Sequence, residues 1–390
     1  MPQPESMKLR HVSSISSVSA EAWDRQFDPD YPFTRHAFLA ALERHGCVGA
    51  GTGWEPCHLL AETEAGQLLG AVPLYLKTHS YGEFVFDFSW ANASHQLGKP
   101  YYPKLVSTIP FTPVCGPRLG TSAPGVQSAL GEALLKTTRD NTLSSTHLLF
   151  LDEAAASSLE DHDFLTRLDV QFQWRNRDYA DFAGFLGGLS SDKRKKLQRE
   201  RRRIREAGLH FRHCRGEDLS ESDWHDIYAL YANTYAERGQ SPYLSLDFFL
   251  DYGRAANSPM RVLSAHEGER RVAAAICLHG GDTLYGRNWG ARGYYHSLHF
   301  ETCYYQGIEF CIREGLSRFD AGVQGAHKLA RGFDPVTTRS AHHLQDPRLH
   351  SAVAAFLQRE REAVEAERWD LLEHSAFRAA EQERQRSTDA

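Results

Sequence analysis

The chain has 390 residues, 41% hydrophobic and 24% charged, with a formal net charge of −6. That length exceeds one ordinary domain and sets the expectation of two, and the mixed, mildly acidic charge excludes a chain built throughout as a nucleic-acid coat while leaving room for a local basic patch. The 7 cysteines are scattered with no CxxC pair, which excludes a disulfide framework and points to a reducing compartment. The amino-terminal residues lack a signal-peptide apolar core, and no run approaches the ~20 apolar residues that span a bilayer, so no membrane span and a cytoplasmic location are expected.

From the start of the chain, residues 7–12 read as a short strand, then 20–27 and 34–46 as helices, the second with Thr34 as N-cap and Gly46 just past its end. Apolar runs at 58–62 and 68–77 around Gly66 predict a hairpin, and alternation over 84–88 predicts a further strand. Residues 89–98 suit a short helix. The stretch 101–119 holds Pro103, Pro110, Pro113 and Pro117 and reads as irregular. A helix over 126–139 and a strand over 146–151 close this half, and one long charged helix is expected over 180–207. The second half repeats the order: strand 209–213, helices 223–238 and 246–253, a hairpin of 261–266 with 271–278, strand 284–289, helix 300–314, strand 317–320 and a loop over 321–335. Of these helices 300–314 is the clearest, since Phe300, Cys303, Tyr304, Gly307, Ile308, Cys311 and Ile312 make one continuous face and Gly315 stops it. Residues 347–385, rich in Ala, Glu, Arg and Gln, predict a helical tail. A hairpin followed by strand–helix–strand, met twice, implies α/β architecture with mixed sheets.

The stretch from Phe319 to Phe333 offers the sharpest chemistry. It leaves a strand end, contains glycines that let backbone approach a ligand, and carries Gln324, His327, Lys328 and Arg331. Lys328 suits holding an anionic donor or the oxyanion of a tetrahedral acyl-transfer intermediate. His327, with a reference pKa of about 6.5, suits taking the proton of an attacking amine. The competing reading is a tight surface turn with solvated charges. Glu301, in the first turn of its helix, reads either as a carboxylate favoured by the helix dipole or as a base. On the strand 284–289, Tyr285, Arg287 and Trp289 share one face by alternation, as a ligand-facing row or as an Arg stacked at an interface. In the first half, Asn92 within WANAS and Tyr102, Lys104 and Arg118 within the proline-rich stretch are the polar groups of a rigid wall, either a ligand surface or a packing loop. Residues 193–205 hold nine Lys or Arg in thirteen. That surface suits the phosphates of CoA, a nucleotide-linked sugar or tRNA, or serves solubility alone. His296, His299, Glu301 and Cys303 lie close in sequence, but Cys303 falls on the apolar face, so no metal is assigned there.

The strings WANAS, YYPKL, PFTPVCGPR, HFETCYYQGIEF and FDAGVQGAHKLARGF together resemble the Fem-like family of N-acyltransferases labelled peptidoglycan biosynthesis and recognition proteins, over roughly residues 8–345. The resemblance implies two tandem GNAT-like domains, at 1–152 and 153–345, with a basic inter-domain helix, and transfer of an acyl or aminoacyl group to a small-molecule or peptide amine. Lys328 matches the family lysine before the closing Gly332-Phe333. The basic helix is similar in position to the Fem helical element that engages tRNA, but it is single; an acid is common in the family where Ala326 stands. A GNAT-type pyrophosphate loop is not evident, Gly290 and Gly293 being its only glycines here. The expectation is an acyltransferase with no tightly bound cofactor, its donor an acyl-CoA, an acyl-carrier protein or an aminoacyl-tRNA. In it Lys328 is the cationic centre, His327 or Glu301 the base, and Gln324, Arg287, Trp289, Tyr285, Tyr102, Lys104, Arg118 and Asn92 substrate contacts. The alternative is a non-catalytic Fem-like protein that binds a cell-wall precursor or tRNA.

Overall fold

Apolar alternation and short turns dictate most of the strands, and the computed structural model describes residues 7–121, 123, 125–323 and 325–378. The chain forms two compact units. One comprises the chain up to Asp169 with Thr337–Glu365; the other comprises Val170–Val336 with the residues from Ala366 on.

In the first unit, Met7–Val12, His58–Thr63, Leu68–Val72 and Gly120–Thr121 form an antiparallel sheet in that order. A second set of strands runs Trp54–Pro56, Tyr75–Lys77, Lys104–Ser107, Ser145–Leu151 and Asp334–Leu344. Lys104–Ser107 and Ser145–Leu151 are parallel, the other pairs antiparallel. A parallel pair needs a crossover, and the helix Val126–Asp140 supplies it, burying Leu130, Ala133 and Leu134 against the sheet residues Leu59, Val72 and Leu148.

The second unit repeats the plan. Its strands are Leu209–Arg215, Met260–Glu267, Arg270–Gly280, Thr283–Ala291, Arg318–Asp320 and the end of Leu165–Arg175. Thr283–Ala291 runs parallel to Arg318–Asp320. The crossover is a helix over 298–314 that widens to a π-turn at Glu301–Tyr305. Gly307 lets that helix lie close to the strand below, since a Cβ there would stand 2.4 Å from the Phe319 ring.

The fold is the expected mixed α/β one, with several local differences. The strand that ends the first half, Leu165–Arg175, pairs its last residues with Arg318–Asp320 in the second unit. The strand that ends the second half, Asp334–Leu344, pairs with Ser145–Leu151 in the first. Residues 337–345 therefore belong to the first unit, not to a second domain ending at 345. The expected tail is a packed element. Helix Pro347–Glu373 buries Leu349, Val353 and Leu357 with Trp90, Tyr101 and Leu344 in the first unit. The helix expected over 180–207 is two, Phe182–Gly188 and Ser191–Glu206, because a Gly pair ends the first and Ser190 opens the second. The stretch 84–88 is not a strand: Phe84 takes φ +62° and Asp87 precedes the helix Phe88–Gln96. The proline-rich stretch contains a strand after all, Lys104–Ser107.

Candidate functional site

The parallel strands of the second unit stay paired for three residues, Thr283 with Arg318, Leu284 with Phe319 and Tyr285 with Asp320, and then part. On the opposite edge, Gly286 faces Cys277 and Asn288 faces Ile276, which leaves Arg287 as the extra residue of a β-bulge. The bulge interrupts the alternation expected for Tyr285, Arg287 and Trp289. All three are half-buried. Trp289 meets the His299 ring at 5.2 Å.

Beyond Asp320 the chain turns sharply. Gly322 (φ +78°) and Gly325 (φ +111°) adopt backbone that side chains resist. A Cβ on Gly325 would lie 2.1 Å from the His327 ring, so this glycine also makes room for the histidine. The short turn Ala326–Arg331 then carries Lys328 inward, 1% exposed, where its ammonium donates to the Gly322 carbonyl. Burial lowers the Lys328 pKa to about 8 against the opposing pull of Asp320. Asp320 is itself buried and shifted up by desolvation, opposed by the Gly322 N–H, which it accepts at 2.9 Å, and by the charges of Lys328 and Arg287. Gln173 donates to its other oxygen at 3.3 Å. Next in sequence, His327 is exposed and its Nε2 sits 2.9 Å from the Tyr304 hydroxyl. Burial of one side, then Arg331 and Lys328, lowers its pKa and keeps it neutral at pH 7. Lys328 and His327 are thus neighbours in space as in sequence, with Asp320 and Tyr304 as partners the sequence reading did not assign. The signal for Asp320 was its place as a strand-end acid before a glycine turn.

The turn is anchored from below. Arg331 donates to both Glu200 oxygens at 2.9 and 3.2 Å, to the Tyr305 hydroxyl at 3.1 Å and to the His327 carbonyl at 2.8 Å. Its guanidinium also lies 3.5 Å from the Phe300 ring centroid. Tyr305 closes the triad by donating to Glu200. One residue on, Arg201 pairs with Glu301 at 3.0 Å and Glu309 at 2.8 Å. Gln306 donates to Glu301 at 2.8 Å and its amide oxygen meets His213 at 2.7 Å. Glu301, expected as a base, is therefore a buried ion-pair partner that holds the basic helix; burial raises its pKa and Arg201 opposes the rise. None of the contacts of Lys328 or His327 among the described residues includes it. The helix Ser191–Glu206 keeps Lys195, Arg199, Arg202, Arg203 and Arg205 exposed. His296 meets Arg203 at 3.1 Å, so the run His296, His299, Glu301, Cys303 does not converge.

In the first unit the expected contact residues divide. Arg118 is fully buried and its guanidinium is consumed by the carbonyls of Leu149, Val114 and Pro117 and by the Tyr31 hydroxyl. It is a packing residue, not a substrate contact. Lys104 is equally buried and donates to Ser80 at 2.9 Å, Glu83 at 2.8 Å and Asp87 at 2.5 Å. The ammonium is saturated, which removes it as a ligand contact. Tyr102 is half-buried with its hydroxyl 2.8 Å from Ser80, and Asn92 is exposed on its helix. Gln324 lies outside the described residues.

Two units, each built around a parallel strand pair joined by a crossover helix, define a tandem GNAT-like fold. The C-terminal domain of a putative lysylphosphatidylglycerol synthetase from Agrobacterium fabrum superimposes at TM-score 0.52 and 10% identity, over 86% of this chain and 93% of that one. FemX superimposes at TM-score 0.50 and 9% identity, over 89% of this chain and all of that one (100%). A tandem GNAT protein from the clavulanic acid pathway gives TM-score 0.48 and 10% identity over 88% and 99% of the two chains. At such identities the likeness is one of fold. No curated protein matches the sequence. The family model FemAB-like, described as peptidoglycan biosynthesis and recognition, matches residues 14–379, and the chain belongs to that family. Among the described residues no helix is long and apolar enough to cross a membrane.

Proposed function

We propose that this protein transfers an acyl or aminoacyl group from an activated donor to an amine in cell-wall precursor assembly, with the second unit as the catalytic one. The family supports the cell-wall setting. What carries the chemistry is Lys328: a buried ammonium with a pKa near 8, beside Asp320, where two parallel strands part. In water-poor surroundings such a cation stabilises a developing oxyanion more strongly than in bulk solvent. The amine nitrogen attacks the donor carbonyl carbon and the C=O electron pair moves onto oxygen facing Lys328. The neutral His327 takes the amine proton, oriented by Tyr304. Collapse restores C=O, breaks the bond to the thiol or hydroxyl carrier, and returns the proton to that leaving group. Amide and free carrier result. A cytoplasmic location suits the reduced cysteines, and the three donor classes are acyl-CoA, acyl-carrier protein and aminoacyl-tRNA.

The test is single-turnover transfer with each donor, followed by mass detection of the modified amine. Lys328→Met should lower the rate by about 100-fold or more, the magnitude typical of a lost oxyanion partner. An unchanged rate in a folded variant removes Lys328 from the mechanism. A second reading, polyanion recognition without transfer, is favoured by the exposed cations of Ser191–Glu206. Salt-dependent tRNA binding lost on charge reversal of Lys195, Arg199 and Arg202, with no transfer from any donor, would decide for it. Arg201 must be left intact in that experiment because it is the Glu301 partner.

A further inference from the structure

Three side chains of the first unit, one of them remote in sequence from the other two, converge away from any residue assigned above. Asp163 lies in the turn before the strand Leu165–Arg175, His343 is the penultimate residue of Asp334–Leu344, and His350 is in the first turn of Pro347–Glu373. One ligand atom from each lies within 4.8 Å of the others. We infer that Asp163, His343 and His350 form a site for a zinc-type divalent metal ion.

The distances carry the argument. Asp163 Oδ2 is 3.5 Å from His343 Nδ1, and Asp163 Oδ1 is 3.6 Å from His350 Nε2. Separations of that size are too long for hydrogen bonds of any strength. They run to different oxygens of the carboxylate; taking one ligand atom per residue, the three lie within 4.8 Å of one another, within reach by small side-chain rotations of the roughly 3.4 Å ligand spacing around a tetrahedral ion with bonds of ~2.0–2.1 Å. The two imidazoles, 5.0 Å apart between centroids and inclined at 56°, are not stacked on each other, and the carboxylate turns one oxygen to each. The backbone is shaped for this. Asp163 takes φ +61°, a left-handed conformation that Asp and Asn tolerate better than other side chains. The Asp163 carbonyl lies 3.1 Å from His343 Nδ1 and accepts its N–H in the metal-free chain, a bond that ligation through Nδ1 gives up.

The chemistry of the set selects the ion. Two imidazole nitrogens and one carboxylate suit zinc, cobalt or nickel and disfavour magnesium and calcium, which take oxygen ligands. Three protein ligands leave a fourth position for water, and Asp163, exposed beside two largely buried histidines, opens that position to solvent. Loading moves the His350 proton to Nδ1 and gives up the long 3.4 Å contact from the Leu344 N–H.

The test is calorimetric titration of the whole metal-free chain with zinc chloride at pH 7.5, followed by cobalt substitution. The expected result is one ion per chain with a dissociation constant of about 10 μM or tighter, a raised melting temperature, and the visible absorption band of tetrahedral cobalt. Asp163→Asn keeps the left-handed turn and so the fold, and should weaken binding by at least about tenfold, as should His350→Gln. Lys328→Met should bind zinc as the parent does, which separates this site from the transfer chemistry. No binding heat at about 100 μM zinc, or parental affinity in both ligand variants, overturns the assignment.

Discussion

Replacing Glu200 by Gln removes one charge from a buried pair and leaves the other behind. Glu200 is 6% exposed and Arg331 2%. Breaking such a pair by deleting one partner costs about 3–5 kcal/mol, because the remaining charge stays desolvated. Here Arg331 keeps its bond to the His327 carbonyl and its stacking on Phe300, which places the cost at the lower end, about 3 kcal/mol. With a urea m-value of about 2–3 kcal/mol/M, the unfolding midpoint should fall by about 1–1.5 M. Replacing both partners, Glu200→Leu with Arg331→Met, removes the stranded charge and should restore most of the loss. The same single variant should slow transfer, because the Glu200–Arg331 pair fixes the turn that carries Lys328. Equilibrium urea unfolding of the parent, the single and the double variant measures all of this. A single-variant shift below about 0.3 M, or a double variant no better than the single, refutes the claim that this pair anchors the turn.

Two further outcomes concern pH. If the ammonium form of Lys328 is the active one, the rate of the transfer step should decline above the Lys328 pKa of about 8. Lys328→Arg should abolish that decline at whatever activity it retains, since an arginine stays charged, and Asp320→Asn should move the decline to lower pH by removing the negative charge that supports the ammonium. A pH–rate profile with the same alkaline limb in all three proteins excludes the assignment. In the first unit, His147 and His342 are fully buried with their Nδ1 atoms 2.8 Å apart, and desolvation holds His147 at about 3 and His342 well below its usual value. An unfolded histidine takes up a proton below about pH 6.5 while these refuse it, so each adds stability above that pH that is lost as the pH falls, about 2 kcal/mol by pH 5. Glu83, raised by burial to about 7, contributes with the opposite sign. The informative quantity is therefore the difference between parent and His342→Asn: the parent should lose about 2 kcal/mol more between pH 7.5 and pH 5. Equal losses would show that His342 is not held neutral.

The sequence determined the class of fold and the location of the glycine-rich turn that carries Lys328. Periodicity is a local property, so the helix over 300–314, the hairpin around Glu267 and Gly268 and the glycine-rich turn after Phe319 were legible from composition and spacing. Membership of the FemAB-like family was legible in the same way, from strings of residues. Partnership was not. Glu200 stands inside a run of arginines, and only packing makes it the mate of Arg331. Arg118 and Lys104 looked like ligand groups because the sequence shows a charge and not its burial. The pairing of Arg339–Leu344 with Ser145–Leu151 in the first unit and the meeting of Asp163 with His343 and His350 both join residues more than a hundred positions apart. Such contacts are fixed by where the sheets place their edges, a balance of burial and hydrogen bonding over the whole chain that no local pattern records.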